Sequence, residues 1–274
     1  MKNRIIGILM ALGLMSSCKN GETEKNTDSN NRIEFTDANG NKISKKELAT
    51  STGRFNYEVY GVEGVSDLAK SLHNQARQLG QSGDYISAIK KLNEANKEAP
   101  NWPYPLYDLA YTYLLLDDHE NALKYYRITN KMAPKGFYTS KTALHTLERE
   151  NKGELKRGLY KSYLSLQWIN NPTEKKEIIK LLVKKYPSFA PAWKDYSDLL
   201  MNEERLAAIE KGLEQNADVE TKGILLINKA LVINEKGSFK EAAELLTSVI
   251  FDLNATLGNI EMAKFVLNNI SENK

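Results

Sequence analysis

The residue types able to do chemistry are scarce in this chain and poorly spaced for it. Of 274 residues, three are histidine (His73, His119 and His145) and one is cysteine, Cys18. No histidine lies in an H-E-x-x-H pair, and no G-x-S-x-G elbow, phosphate-binding loop or G-x-G-x-x-G turn occurs. The sole thiol falls in the apolar N-terminal stretch, so a cysteine–histidine nucleophile has no candidate. Paired carboxylates stand at Asp117-Asp118 and Glu203-Glu204, but both pairs fall in turns between helical segments, where acids are expected as caps. The string Asp37-x-Asn39-x-Asn41 ahead of Glu47 imitates a calcium loop. It fails because Lys42 stands where that loop needs glycine and the glutamate arrives one residue early. No catalytic residue, metal ligand or cofactor is expected, and the chain is read as a non-enzyme.

What remains chemically distinctive is a stripe of tyrosines. Tyr104, Tyr107 and Tyr111 recur at i, i+3 and i+7, beside the apolar stripe of Leu106, Leu109, Ala110 and Tyr113. Aromatic faces give contact area at low entropy cost, and neighbouring cations can hold carboxylates or backbone carbonyls. The elements that must position this stripe follow from comparing the chain with itself at an offset of 34 residues.

One unit runs Leu72, Gln75, Ala76, Leu79, then Ala88, Leu92, Ala95 and Pro100; thirty-four residues on stand Leu106, Leu109, Ala110, Tyr113, then Ala122, Tyr126 and Pro134. Apolar residues at helical spacing build one buried face per helix. Ala76 and Ala88 allow a close crossing, Gly83-Asp84 makes the turn, and Pro100 ends the second helix. A degenerate third unit has Leu159, Leu166, Ile179 and Pro187, with Asn170-Asn171-Pro172-Thr173 as its turn and Tyr163 and Lys175 in its small slots. A fourth carries Trp193, Tyr196, Ser197 and Leu200, then Ala207-Ala208-Ile209; a fifth carries Leu226, Ala230, Ile233, the turn Gly237-Ser238, Ala242 and Leu246. An extra helical stretch near 137–150 breaks the register between units two and three, and Ile260, Ala263 and Leu267 mark a last helix that covers the open end.

These units resemble the tetratricopeptide repeat. The resemblance implies an all-α fold, a right-handed α-solenoid of about five helix pairs, whose first helices line a concave wall. On that wall it places His73, Asn74, Arg77, Tyr104, Tyr107, Asp108, Tyr111, Tyr160, Lys161, Lys194, Asp195 and Asp198, as a groove for a protein or peptide partner. Tyr104 and Tyr107 can instead pack against Trp102 and the N-terminal extended segment, and the sequence leaves both readings open. The Lys/Asn clamp with which some such proteins grip a C-terminal carboxylate is not met, since His73, Arg77 and Asp108 occupy its slots.

At the N-terminus, Lys2 and Arg4 precede an apolar run from Ile5 to Met15 that is too short to span a bilayer. The ending Leu14-Met15-Ser16-Ser17-Cys18 resembles a bacterial lipobox. That resemblance implies a signal over 1–17, acylation of Cys18 and an outer-membrane lipoprotein, because Lys19 is not the usual inner-membrane retention signal. Residues 18–31 read as the lipidated cysteine with a polar tether reaching about 20 Å. Residues 32–65 read as a small extended segment. Ile33 to Thr36 alternates, Asn39-Gly40 supplies a hairpin turn, Ile43 resumes the pattern, and Phe55 to Val62 forms a second stretch. The rest divides into repeats one and two at 66–136, the extra helix at 137–155, repeats three to five at 156–256 and a capping helix at 257–274.

Composition bounds the partners. A net charge of +3 drops to about +1 without Lys2 and Arg4, which removes the global field that nucleic-acid binding draws on. The lysine run Lys175, Lys176, Lys180, Lys184 and Lys185 backs an apolar face of Ile178, Ile179, Leu182 and Val183 and reads as a solvated face, with contact to lipid headgroups as the alternative. The function these features suggest is a lipid-anchored scaffold or adaptor that binds a protein or peptide in its concave groove. The alternatives are an accessory lipoprotein of an outer-membrane assembly machine and, last, an enzyme with an unrecognised site. The oligomeric state is left open.

Overall fold

The computed structural model describes residues 35–36, 42–44, 46–47 and 64–270. The signal, Cys18, the tether, the turn at 37–41 and the stretch Phe55 to Val62 lie outside the described residues. A short hairpin stands where alternation placed it: β1 (Phe35–Thr36) pairs antiparallel with β2 (Lys42–Ile43), Phe35 opposite Ile43 and Thr36 opposite Lys42.

From residue 67 on, the chain is a helical solenoid. Its first hairpin is α1 (Asp67–Gln81) and α2 (Tyr85–Glu98), its second α3 (Pro103–Leu115) and α4 (His119–Met132). The 34-residue periodicity is physical. Ala76, Ala88, Ala110 and Ala122 are all buried where two helices cross, so a larger side chain there would force the helices apart. The turns repeat as well. Gly83 at φ +86 and Asp117 at φ +60 occupy equivalent left-handed positions, and the next residues, Asp84 and Asp118, cap α2 and α4 by accepting from the backbone amides of Ser87 and Asn121 at 3.1 Å each. Of the first carboxylate pair, then, Asp118 is a cap, while Asp117 makes the turn.

The later elements are α5 (Ser140–Asn151), α6 (Leu159–Leu164) running into a 3-10 turn (Ser165–Trp168), α7 (Pro172–Lys185), α8 (Ala190–Ser197), α9 (Asn202–Leu213), α10 (Val219–Glu235), α11 (Phe239–Ile250) and α12 (Leu257–Asn269). The third unit is degenerate in structure too: its first helix is only six residues long. Glu203 and Glu204 correct the second cap expectation. Met201 precedes α9 without a side-chain cap bond, and Glu203 instead pairs with Lys236 at 2.7 Å. The core is a chain of apolar clusters along the stack. One surrounds Leu92 and Leu109; others join Leu114, Tyr126, Leu147, Val183 and Phe189, then Ile209, Leu225 and Val232, then Leu246, Val249 and Leu267.

The extra helix does more than break the register. α5 packs on α4, where Asn130 donates to the carbonyl of Ser140 at 2.8 Å, and it also reaches α10, where Thr142 donates to Asp218 at 2.9 Å. Beside it the linker after α4 meets the loop before α12. The Leu257 amide donates to the Lys135 carbonyl at 2.9 Å, and Lys135 Nζ donates to the Leu253 carbonyl. Gly136, at φ +97, leaves room for the Thr256 methyl, which would lie 3.0 Å from any Cβ placed there. The stack therefore turns back far enough for its second hairpin's exit to touch its last helix.

Candidate functional site

The residues that the resemblance assigns to an inner wall lie on α1, α3, α6 and α8, the first helices of their hairpins, and the structure divides them into a packed set and a more accessible set. In the packed set, His73 is buried, its Nε2 lies 2.8 Å from Asp108 Oδ2, and its ring meets Trp102 at 4.9 Å and Tyr104 at 5.7 Å. The linker after α4 supplies the other side. Tyr104 packs against Phe137 at 4.8 Å and shares a hydroxyl hydrogen bond with Tyr138, while Tyr107 packs on Phe137 at 5.6 Å and on Tyr126 at 5.9 Å. The Tyr107 hydroxyl bonds Thr139 Oγ1 at 2.8 Å.

Tyr160, 1 % exposed, and the partly covered Tyr163 continue this aromatic interior. Burial pushes the phenols of Tyr107, Tyr126, Tyr160 and Tyr163 far above the usual tyrosine range, so all four are neutral hydrogen-bonding groups. Two residues expected on an open groove are thus corrected, His73 and Tyr160, which are buried; Tyr104 and Tyr107 are half-buried, with their rings packed against the linker. The physical reason is that the linker residues Phe137, Tyr138 and Thr139 occupy the space in front of α3.

Past this block, charged groups line the wall. Lys194 Nζ pairs with Asp195 Oδ1 at 2.8 Å. Burial opposes the Lys194 charge, but Asp195, with Tyr163 and Asp198, outweighs it and holds the ammonium well above its usual range. Asp198 is exposed as a residue, yet its carboxyl turns toward Asn228, which donates to it at 2.9 Å; burial there pushes that carboxyl up. Lys161 is half-buried and committed to the α3 C-terminus, donating to the Leu115 carbonyl and pairing with Asp117, both at 2.8 Å. Tyr111 is half-buried; its hydroxyl accepts a long bond from Gln167 at 3.4 Å. Asn74 and Arg77 are exposed on α1. Of the residues expected on the wall, Asn74, Arg77 and Asp198 are exposed and Tyr111, Lys194 and Asp195 half-buried.

A buried polar knot where α5 meets α10 escaped sequence reasoning. Asp218, the cap of α10, accepts from the amides of Glu220 and Thr221 at 3.0 and 3.1 Å, from Thr221 Oγ1 at 2.6 Å and from Thr142 Oγ1 at 2.9 Å. Glu220, also buried, lies 3.4 Å from the same Thr142 oxygen, and burial, reinforced by Asp218, pushes its carboxyl up to about 8. The run Asp218-Val219-Glu220-Thr221 was legible as a helix start; its pairing with Thr142, 76 residues away, was not.

The chemistry open to this arrangement is hydrogen bonding and ion pairing. His73 and Asp108 have the geometry of a base and its orienter, but no hydroxyl or thiol is hydrogen-bonded to His73 among the described residues. Among those residues no group of three His, Cys, Asp or Glu side chains is placed to hold a metal.

No protein-family model and no curated protein matches this chain. Two solved structures are similar to it at 17% identity and a TM-score of 0.34. One is titled "MamA 41-end from Desulfovibrio magneticus RS-1", with 68% of this chain and 94% of that chain covered. The other is titled "MamA RS-1 ArsTM double mutant", with 67% and 93% covered.

Proposed function

We propose that the chain is a non-catalytic binding protein of the bacterial cell envelope, held to the outer membrane by a lipid on Cys18, that takes a protein or peptide on the open part of its inner wall. The observation that carries this reading is the contrast within that wall. His73, Trp102 and Phe137 are buried, with the half-buried Tyr104 and Tyr107 packed against them, whereas Arg77 is exposed and Tyr111 is half-buried with only a long bond from Gln167. Accessible groups mounted on a framework that cannot relax lose little entropy when a partner binds, which favours affinity over mere exposure. The anchor rests on the lipobox resemblance and the tether behind it.

The test is site-specific photocrosslinking. A benzophenone side chain at Tyr111 and, separately, at the exposed Ile128 of α4 is carried by the lipidated protein in intact envelopes. The reading expects a discrete protein adduct at Tyr111 and none at Ile128. Equal adducts at both sites, or none at Tyr111, would reject the inner wall as the binding surface. An adduct to components of an outer-membrane assembly machine would select that more specific role.

A further inference from the structure

The cations of this protein are unevenly placed. Residues 152–185 hold nine Lys and Arg against three Asp and Glu, a local +6, which leaves the rest of the chain with 29 against 32, or −3. Between Leu155 and Lys194 the acids are Glu174 and Glu177 alone, both in the N-terminal half of α7. The third acid, Glu154, is engaged by Arg149 Nε at 3.1 Å.

The fold gathers the positive charge at one end. Arg149 Nη1 donates to the Ser188 carbonyl at 3.0 Å, which ties the end of α5 to the residues just after α7. Leu155 and Val183 share one apolar cluster. The α5–α6 turn, with Lys152, Lys156 and Arg157, is thereby held near the C-terminal end of α7, whose last turn carries Lys184 and Lys185. All five are exposed, as is Lys180 one turn earlier, and none of the six takes part in an ion pair among the described residues. In the middle of this outer face stands Leu181, 63% exposed, preceded by Lys180 and followed at i+3 and i+4 by Lys184 and Lys185. The buried face of α7, Ile179 and Val183, points the other way.

We propose that this basic end, from the α5–α6 turn to the C-terminal half of α7, is a docking surface for an anionic lipid bilayer. Charge complementarity supplies the attraction: clusters of four to eight cations are drawn to anionic headgroups within about a Debye length. Leu181 selects the membrane over a soluble polyanion. A nucleic acid or polyphosphate would use the lysines and leave a large exposed apolar side chain in water, whereas a bilayer interface accepts both, the lysines at the headgroups and Leu181 below them. The surplus negative charge on the remainder of the chain turns that remainder away, so docking fixes the orientation as well as the distance. This proposal does not depend on the inner wall's partner, and the two fail separately.

The test uses the full chain carrying Cys18→Ser, so that no acyl chain contributes. Vesicles of phosphatidylcholine alone are compared with vesicles of about three parts phosphatidylglycerol to seven of phosphatidylcholine, at about 50 and about 300 mM salt. Sedimentation should show phosphatidylglycerol-dependent binding that the higher salt releases. Neutralising Lys180, Lys184 and Lys185 to Gln should cost roughly a hundredfold in that increment, at about fivefold per cation. The control triple Lys97→Gln, Lys222→Gln and Lys240→Gln, exposed on other helices and equal in charge change, should leave it within about twofold. Leu181→Ser should weaken binding while preserving its salt dependence. Equal losses from the two triples would overturn the proposal, as would binding of a short single-stranded RNA as tight as binding to the anionic vesicles.

Discussion

Replacing Glu220 by Gln should stabilise this protein, and by an amount that pH controls. Glu220 is 7% exposed, sits beside Asp218 and Thr142 where α10 meets α5, and its carboxyl is pushed from 4.5 up to about 8 by burial and by Asp218, against the pull of Lys194. The sign follows from linkage. A folded-state value above the unfolded one means that the native protein binds the proton more tightly, so stability is lost as pH rises from about 4.5 to about 8. At about 1.4 kcal/mol per unit, the full loss above pH 8 approaches roughly 5 kcal/mol, an upper limit because local relaxation around the charged carboxylate reduces it. Gln keeps the shape and still accepts from Thr142, but it does not titrate. Urea denaturation of both proteins at about pH 5 and about pH 9 should give a stability difference near zero at the lower pH and several kcal/mol in favour of the variant at the higher. A difference that is the same at both pH values would show that Glu220 is not desolvated in the folded state, and the account of this joint would be wrong.

Other perturbations separate packing from display. Gly136→Ala should cost about 1–3 kcal/mol, visible as a lowered Tm, because φ is +97 there and the Thr256 methyl sits 3.0 Å from the new Cβ. Tyr107→Ala should destabilise by about 3–5 kcal/mol, since Tyr126, Phe137 and Thr139 pack on that ring, whereas Tyr111→Ala should change the unfolding free energy by no more than about 1 kcal/mol and reduce partner capture. Equal thermal effects of the two substitutions would dissolve the distinction between the filled and open wall. Cys18→Ser should move the protein from the membrane fraction toward the soluble fraction in gentle, high-salt extraction, and unchanged membrane retention there would reject the lipid anchor.

The repeat was legible because its determinants are local. A helical hairpin needs an apolar stripe at helical spacing, small residues at the crossing and a turn former, and all three recur thirty-four residues apart at Ala76/Ala110, Ala88/Ala122 and Asp84/Asp118. The Asp118 cap, the hairpin at Phe35 and Ile43 and the closing helix α12 were legible on the same footing. The sequence alone also placed Tyr104, Tyr107 and Tyr111 on one helix face.

Whether that face is open was decided only in three dimensions. Tyr107 is enclosed because the linker after α4 returns Phe137 and Thr139 onto it, and Tyr111, one helical turn further, escapes because that linker does not reach it. The knot of Thr142 with Asp218 and Glu220 and the contact of Gly136 with Thr256 join residues 76 to 120 positions apart. Such pairings leave no periodic trace, because each depends on the summed rotation of every intervening hairpin. Local side-chain spacing fixes each helix pair; the accumulated angle between pairs fixes which surfaces meet.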